Sequence, residues 1–155
     1  MDDRTWLRHI VSTLAYRGGK LLKNAPPEFV QHDTGGGHTP LRILSHIGDV
    51  LDWGLSHMRG EPKWGSADLG SWDAQAARFH ARLAEIDAYL AGDAPIHCEL
   101  TRFYQGPLAD ALTHVGQLAM LRRLTGSPVY SENYFVADIV AGRTGPEQTP
   151  PKRAF

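Results

Sequence analysis

Apolar residues recur at helical spacing in four stretches of the sequence, and glycine or proline separates each stretch from the next. Residues three and four positions apart share one face of an α-helix, so each stretch predicts an amphipathic helix with a buried side. The predicted helices cover residues 4–23, residues 40–59, the segment from near Ser71 to before Gly92, and residues 106–125. No stretch shows the apolar–polar alternation of a half-buried strand. The pattern therefore predicts an all-α fold, a four-helix bundle that forms a single domain over residues 1–155.

The segments between and after these helices carry weaker signals. Thr39 is a predicted N-cap and Pro40 a first helical residue, so the second helix has a clear start. The glycine-rich segment 28–38 predicts a flexible surface loop, and no Gly-Lys-Ser/Thr follows to make it a phosphate-binding loop. Apolar residues within 130–140 predict a short helix, and residues 142–155 predict an extended tail across the bundle.

Composition excludes several classes of function. Lys and Arg number 16 against 17 Asp and Glu, a net charge of -1. A nucleic-acid-binding protein would show a basic excess, so no nucleic-acid partner is expected. The single cysteine, Cys98, excludes an internal disulfide and any Cys-x-x-Cys metal site. The acidic start lacks the pattern of a secretory signal, and no apolar run is long enough to span a bilayer, so we expect a cytoplasmic protein with no membrane partner.

Histidine is unusually frequent, with eight residues in the chain. Most have an ordinary surface interpretation: His80, one residue away from the apolar stripe of the third helix, is predicted to be exposed. His46 and His114 differ, because each lies in the middle of a strongly apolar helix at the margin of its apolar face. A polar cleft would lie at such a margin.

Asp110 lies four residues before His114, so the two side chains lie one turn apart on the same side of the fourth helix. A carboxylate and an imidazole at this spacing can bind one metal ion, and His46 is the best-placed third ligand. Gln117 shares their face and could hydrogen-bond a ligand. The alternative interpretation is an exposed Asp–His pair together with a buried, hydrogen-bonded His46.

Two segments resemble the DinB-like superfamily, the helical bundles of DinB and YfiT type. Residues 39–49, TPLRILSHIGD, resemble the Thr-Pro…Leu-x-His opening of the second helix in that family. Residues 114–118, HVGQL, followed by LRRL and Gly126, resemble its His-x-Gly-Gln segment. The helix order and the long connection before the last helix also agree, so the resemblance covers most of residues 4–126.

The resemblance implies a divalent metal held by one histidine of the second helix and two residues four apart on the fourth. Carried over by motif, these ligands are His46, Asp110 and His114, and we expect Zn or Ni as the ion. Many members have histidine where this chain has Asp110, while some thiol-dependent isomerase relatives have a carboxylate there. The implied activity on a small-molecule substrate is metal-dependent hydrolysis or transfer with a low-molecular-weight thiol.

Four further residues are predicted to surround the metal or line its pocket: Asp49, Trp53, Gln117 and Tyr134. A rival hypothesis is a non-catalytic helical module that binds a small ligand or forms a homodimer and has a decayed metal site. Aspartate at position 110 and the lack of an obvious general base favour this rival. The apolar breadth of the second helix, together with the resemblance, favours a homodimer.

Overall fold

Side-chain caps start the three long helices that precede the last one. The Asp2 carboxylate accepts a hydrogen bond from the Thr5 backbone N–H at 2.9 Å. The Thr39 hydroxyl accepts from the Arg42 N–H at 3.3 Å, and Ser71 caps the third long helix in the same way. Each cap satisfies a backbone N–H that has no partner within its helix, so these starts are fixed locally.

The computed structural model describes residues 1–155, which form helices and no β-strand. The α-helices are α1 (Asp3–Leu22), α2 (Pro27–Val30), α3 (Pro40–Met58), α4 (Trp72–Ala91), α5 (Leu100–Phe103) and α6 (Ala109–Leu124). A π-helical segment, Tyr104–Leu108, joins α5 to α6, and a 3₁₀ turn, Tyr134–Val136, lies near the end of the chain. The predicted all-α fold class is confirmed.

The four long helices pack around one apolar core. Helix α1 contacts α4 and α6, and α3 contacts the same two helices from the other side. All four contribute fully buried side chains, among them Leu14, Leu44, Ile47, Phe79, Leu83, Ala111 and Leu118. Burial of these faces is the main favourable contribution to folding. None of the helices combines the length and the apolar character needed to cross a membrane.

The last long helix differs most from the prediction. Helical structure begins at Leu100 instead of residue 106, and Pro107 lies inside the π-helical segment. Proline has no N–H and crowds the carbonyl of the preceding turn, and a wider turn relieves that conflict. The apolar spacing of the fourth predicted helix also predicts a core face that includes Leu112 and Ala119, but both residues are exposed. The buried line of α6 follows Ala111, Val115 and Leu118 instead, because α6 presents that side to α1 and α3.

Three other predictions about the chain are corrected by the structure. The loop after α1 contains a short helix, α2, which begins at Pro27, a residue whose fixed φ suits a first helical position. The apolar spacing of the first predicted helix includes Trp6 in its buried face, but Trp6 is exposed and its ring packs on Tyr104 with 5.4 Å between centroids. The helix predicted within residues 130–140 is only the one-turn Tyr134–Val136.

The tail runs across α1 and α4, as the sequence predicts. The Gly142 N–H donates to the buried Ser12 hydroxyl at 3.0 Å. The Tyr16 hydroxyl donates to Glu132 at 2.7 Å, so the chain that leads into the tail is also fixed to α1. His80 donates from Nδ1 to the Thr144 carbonyl at 2.8 Å.

The prediction that His80 is exposed is therefore wrong. The tail covers the ring, which is half-buried. Burial lowers the pKa of His80 below its ordinary value of 6.5, and the nearby Lys23 charge acts in the same direction. The hydrogen bond to Thr144 acts the other way without reversing the shift.

We expect the free energy of unfolding to fall as the pH drops below 6.5. The unfolded chain binds a proton at His80 more readily than the folded chain does, so this contribution to stability is complete above pH 6.5 and is lost below it. Urea denaturation of wild type and His80→Gln at several pH values between about 5 and 7.5 measures it. The variant should show a smaller dependence on pH than wild type.

His9→Gln is the matched control, because His9 is an exposed histidine on α1. It should retain the pH dependence of wild type. If His80→Gln and His9→Gln gave the same slope of stability against pH, the assigned role of His80 would be wrong.

Candidate metal centre

Helices α3 and α6 bring His46, Asp110 and His114 together. The Asp110 Oδ2 atom lies 3.5 Å from Nε2 of His46 and 3.3 Å from Nε2 of His114. The two imidazole rings stand nearly perpendicular, with centroids 4.9 Å apart. One ligand atom from each residue lies within 4.8 Å of the other two. The three predicted ligands therefore form one cluster that could hold a metal ion.

The spacing of these atoms suits a metal ion. With bonds of about 2.1 Å and tetrahedral angles, neighbouring ligand atoms stand about 3.4 Å apart. The two separations that involve Asp110 are close to that value. Two imidazole nitrogens and one carboxylate oxygen are also the donor types that first-row divalent ions take. The aspartate side chain is one methylene shorter than that of glutamate, but it is long enough to bring its oxygen between the two imidazoles.

Gln117 orients His114, as the sequence predicts. Its Oε1 atom lies 2.8 Å from Nδ1 of His114. An amide oxygen can only accept, so this contact places the ring proton on Nδ1 and leaves the lone pair of Nε2 facing Asp110. A metal-binding histidine commonly donates its other N–H in this way, which fixes the tautomer that the ion requires.

The cluster is accessible from two cavities. Thr113 and His46 line both of them, whereas His114 lines only the larger cavity and Asp110 only the smaller. The cavities measure about 1100 Å³ and about 500 Å³. Because the His46 and Asp110 side chains are 42% and 45% exposed, a small molecule can approach the ligand atoms directly.

The larger cavity contains residues that the sequence analysis did not single out. Thr34, Gly35, His38 and Arg42 form its rim. The glycine-rich segment has a defined turn, in which the Asp33 carboxylate accepts from the Gly35 and Gly37 N–H groups at 2.8 and 3.1 Å. Arg42 lies one turn before His46 on α3, and that i, i+4 spacing is a signal in the sequence that could have identified it.

The smaller cavity is aromatic. Trp53, predicted as a pocket residue, lines it together with Trp64. The two indole rings stand edge to face with centroids 6.1 Å apart, and Trp64 also lies 6.2 Å from the His46 ring. Trp64 comes from the long connection between α3 and α4, where neither periodicity nor a motif marks it.

Asp49 lines the larger cavity but is already paired with a charge of the protein. It is buried and accepts from Arg78 at 2.8 Å and from the Ala67 N–H at 3.0 Å. Burial acts to lower the pKa of Arg78, but its hydrogen bonds to Asp52 and Asp49 and the attraction of their charges together outweigh burial and raise the pKa overall. Asp49 therefore anchors the connection before α4 and does not contact the cluster.

Tyr134 lies away from the cluster. Its ring packs edge to face on Tyr16 and lies beneath the Arg17 guanidinium, 4.0 Å from the ring centroid. It lines neither cavity beside the cluster. The prediction for Tyr134 failed because its 3₁₀ turn packs against α1, whereas the cluster lies between α3 and α6.

Comparisons of the chain with protein-family models, with curated proteins and with solved structures found no match in any of the three. Membership of the DinB-like superfamily therefore stays a prediction from the two short motifs.

Replacing Gln117 with alanine is expected to weaken metal binding by about 10- to 100-fold. The substitution removes the acceptor that fixes the His114 ring, so the ion must select one orientation and tautomer from several. Competition titration of metal-free protein with Zn²⁺ and a chromophoric chelator measures the affinity. Gln105→Ala is the control, because Gln105 lines the smaller cavity but makes no hydrogen bond to the cluster. Equal Zn²⁺ affinities for the two variants would contradict the role assigned to Gln117.

Proposed function

We propose that the protein is a divalent-metal-binding four-helix bundle of the DinB-like type that catalyses transfer or hydrolysis on a small-molecule substrate. The supporting observation is the cluster of His46, Asp110 and His114, whose ligand atoms lie within 4.8 Å of one another. The closed arrangement of α1, α4, α3 and α6 supports the bundle, since each long helix contacts two others. Zn²⁺ and Ni²⁺ suit a donor set of two imidazoles and one carboxylate.

The residues of the chain provide the conditions for this chemistry. His46, Asp110 and His114 would hold the ion, and Gln117 keeps the His114 lone pair available for it. An ion held by three protein ligands retains open positions, where it lowers the pKa of a water molecule or a thiol and polarises a carbonyl. The smaller cavity places the indole rings of Trp53 and Trp64 beside His46 and Asp110.

The two cavities favour transfer with a low-molecular-weight thiol over hydrolysis. A transferase must bring two organic molecules to one ion, whereas a hydrolase needs room for one organic molecule and water. The larger cavity and the smaller, aromatic cavity both border His46, so each could hold one reactant. Hydrolysis is the second candidate, since the same ligands would also activate water.

Metal content tests the site. Protein purified without a nickel column and then loaded with Zn²⁺ should retain about one ion per chain. His46→Ala, Asp110→Ala and His114→Ala should each bind the ion far less tightly, because each loses a ligand. Mass spectrometry of dialysed samples measures bound metal. His38→Ala is the matched control. His38 lines the larger cavity but lies outside the cluster, so its replacement should leave metal binding unchanged.

The pH dependence of Zn²⁺ affinity is a second test of the same site. Zn²⁺ affinity should fall as the pH drops through the histidine range, around pH 6.5, because only the neutral imidazole binds metal. Equal metal content in wild type and in the His46→Ala/His114→Ala double variant would exclude the site. An affinity that stays constant between about pH 5 and 8 would exclude the two histidines as ligands.

We expect Zn²⁺-loaded protein to accelerate thioether formation between cysteine and 1-chloro-2,4-dinitrobenzene. In this reaction the thiol loses its proton, a sulfur–carbon bond forms and chloride leaves. Absorbance of the thioether measures the rate, with the His46→Ala/His114→Ala double variant as background. Hydrolysis of 4-nitrophenyl acetate is measured in parallel.

The two rates separate the candidate functions. If the metal raised only the rate of ester hydrolysis, the proposed transferase activity would be wrong and hydrolysis would become the leading candidate. Rates equal to the double variant in both assays would favour the non-catalytic module.

A further inference from the structure

Arg42 is a free cation beside the metal cluster. It lines the larger cavity together with His46, which follows one helical turn later on α3. Arg78 of α4, which lies against α3, forms ion pairs with Asp49 and Asp52. Arg42 has no such partner: it makes no ion pair and no side-chain hydrogen bond within the chain. Its guanidinium can therefore bind a group from outside the protein.

The charges that line this cavity favour an anion. Its one lining carboxylate is Asp49, and Arg78 already balances that charge at 2.8 Å. Arg42 is the one permanently cationic side chain on the wall, and the other titratable residues there are the histidines His38, His46 and His114. An entering anion would thus meet one permanent positive charge and no unbalanced carboxylate on the wall itself, since Asp110 lines the smaller cavity on the other side of His46.

Part of the remaining wall is apolar, and hydroxyl and amide side chains complete it. Ile43, Leu69, Met120 and Leu121 contribute aliphatic surface to the same cavity. A ligand that fits this wall has a compact apolar body and one anionic group. The planar guanidinium of arginine matches a carboxylate through two parallel hydrogen bonds, a geometry that a point charge does not offer.

We propose that Arg42 is a specificity-determining residue, and that the substrate in the larger cavity is an organic carboxylate with a small apolar body. This inference rests on the proposed function, since the anion would lie one helical turn from the ion that acts on it. Arg42 binds the carboxylate, and the aliphatic wall holds the body of the molecule. The aromatic cavity on the other side of His46 then remains free for a second reactant.

A matched pair of probes tests the inference in metal-free protein. The probes are 4-phenylbutanoate and 4-phenylbutanamide, which share one apolar body and differ in charge. Protein is stripped with EDTA, dialysed into a buffer low in chloride and titrated by isothermal calorimetry. Removing the metal ensures that any preference for the carboxylate comes from the side chains. Three proteins are compared: wild type, Arg42→Gln and Arg123→Gln.

Wild type should bind the carboxylate about ten-fold or more tightly than the amide, as expected for a charge-assisted hydrogen-bonded pair. Arg42→Gln should lose that preference and keep its affinity for the amide. Arg123→Gln should behave as wild type, because this exposed arginine lines a different cavity and its loss changes the net charge equally. The inference would be overturned by equal binding of the two probes to wild type, by no binding of either, or by equal carboxylate affinities in the two variants.

This outcome is independent of the metal experiment. If Arg42 selects carboxylates while the cluster binds no ion, the anion site stands and the proposed function fails. If the cluster binds an ion while Arg42→Gln is unchanged, the proposed function stands and the substrate class is wrong.

Discussion

The candidate site depends on the close approach of α3 to the segment that begins α6. Gly54 makes this approach possible: a Cβ atom at that position would lie 2.8 Å from the Pro107 ring and 2.9 Å from Phe103. Contacts this short leave no room for a larger residue. Because the two helices meet so closely, His46 on one reaches Asp110 on the other across 3.5 Å. The π-helical segment accommodates Pro107 and leads directly into the turn of α6 that carries Asp110.

The carboxylates near α3 are of two kinds: some pair with an arginine of the protein and hold helices together, and one belongs to the candidate metal site. Asp49 and Asp52 both pair with Arg78, which lies against α3 at Gly48, where a Cβ atom would lie 2.6 Å from the guanidinium. These carboxylates hold α4 and the preceding connection to α3. The Asp110 carboxylate pairs with no arginine or lysine, and its ionisable partners are the two imidazoles. It is therefore the one carboxylate of this region that remains available to a cation, which is why one aspartate is expected to bind metal and the others are not.

The local structure was largely predictable because its causes lie within a few residues. Thr39 and Ser71 cap the helices that follow them, and the apolar spacing identifies which helices are amphipathic. Gln117 was also predictable, since it lies three residues after His114 on the same helix. The predictions for individual residues failed where the side chain contacts a segment that is distant in the sequence. His80 is covered by Thr144, and Tyr134 packs on Arg17, and neither contact leaves a local signal. The cytoplasmic location and the homodimer stay predictions.

The sequence by itself determined the all-α fold class, the starts of α3 and α4, and the three residue types able to bind one metal. Short-range hydrogen bonds and the 3.6-residue period are sufficient for these, because they act within a few turns of the chain. Only the tertiary structure decided that His46 meets Asp110, more than sixty residues later in the chain. It also decided that Arg42 and Trp64 border the same cluster from two cavities. Packing of whole helix faces sets these distances, and residue spacing along the chain does not encode them.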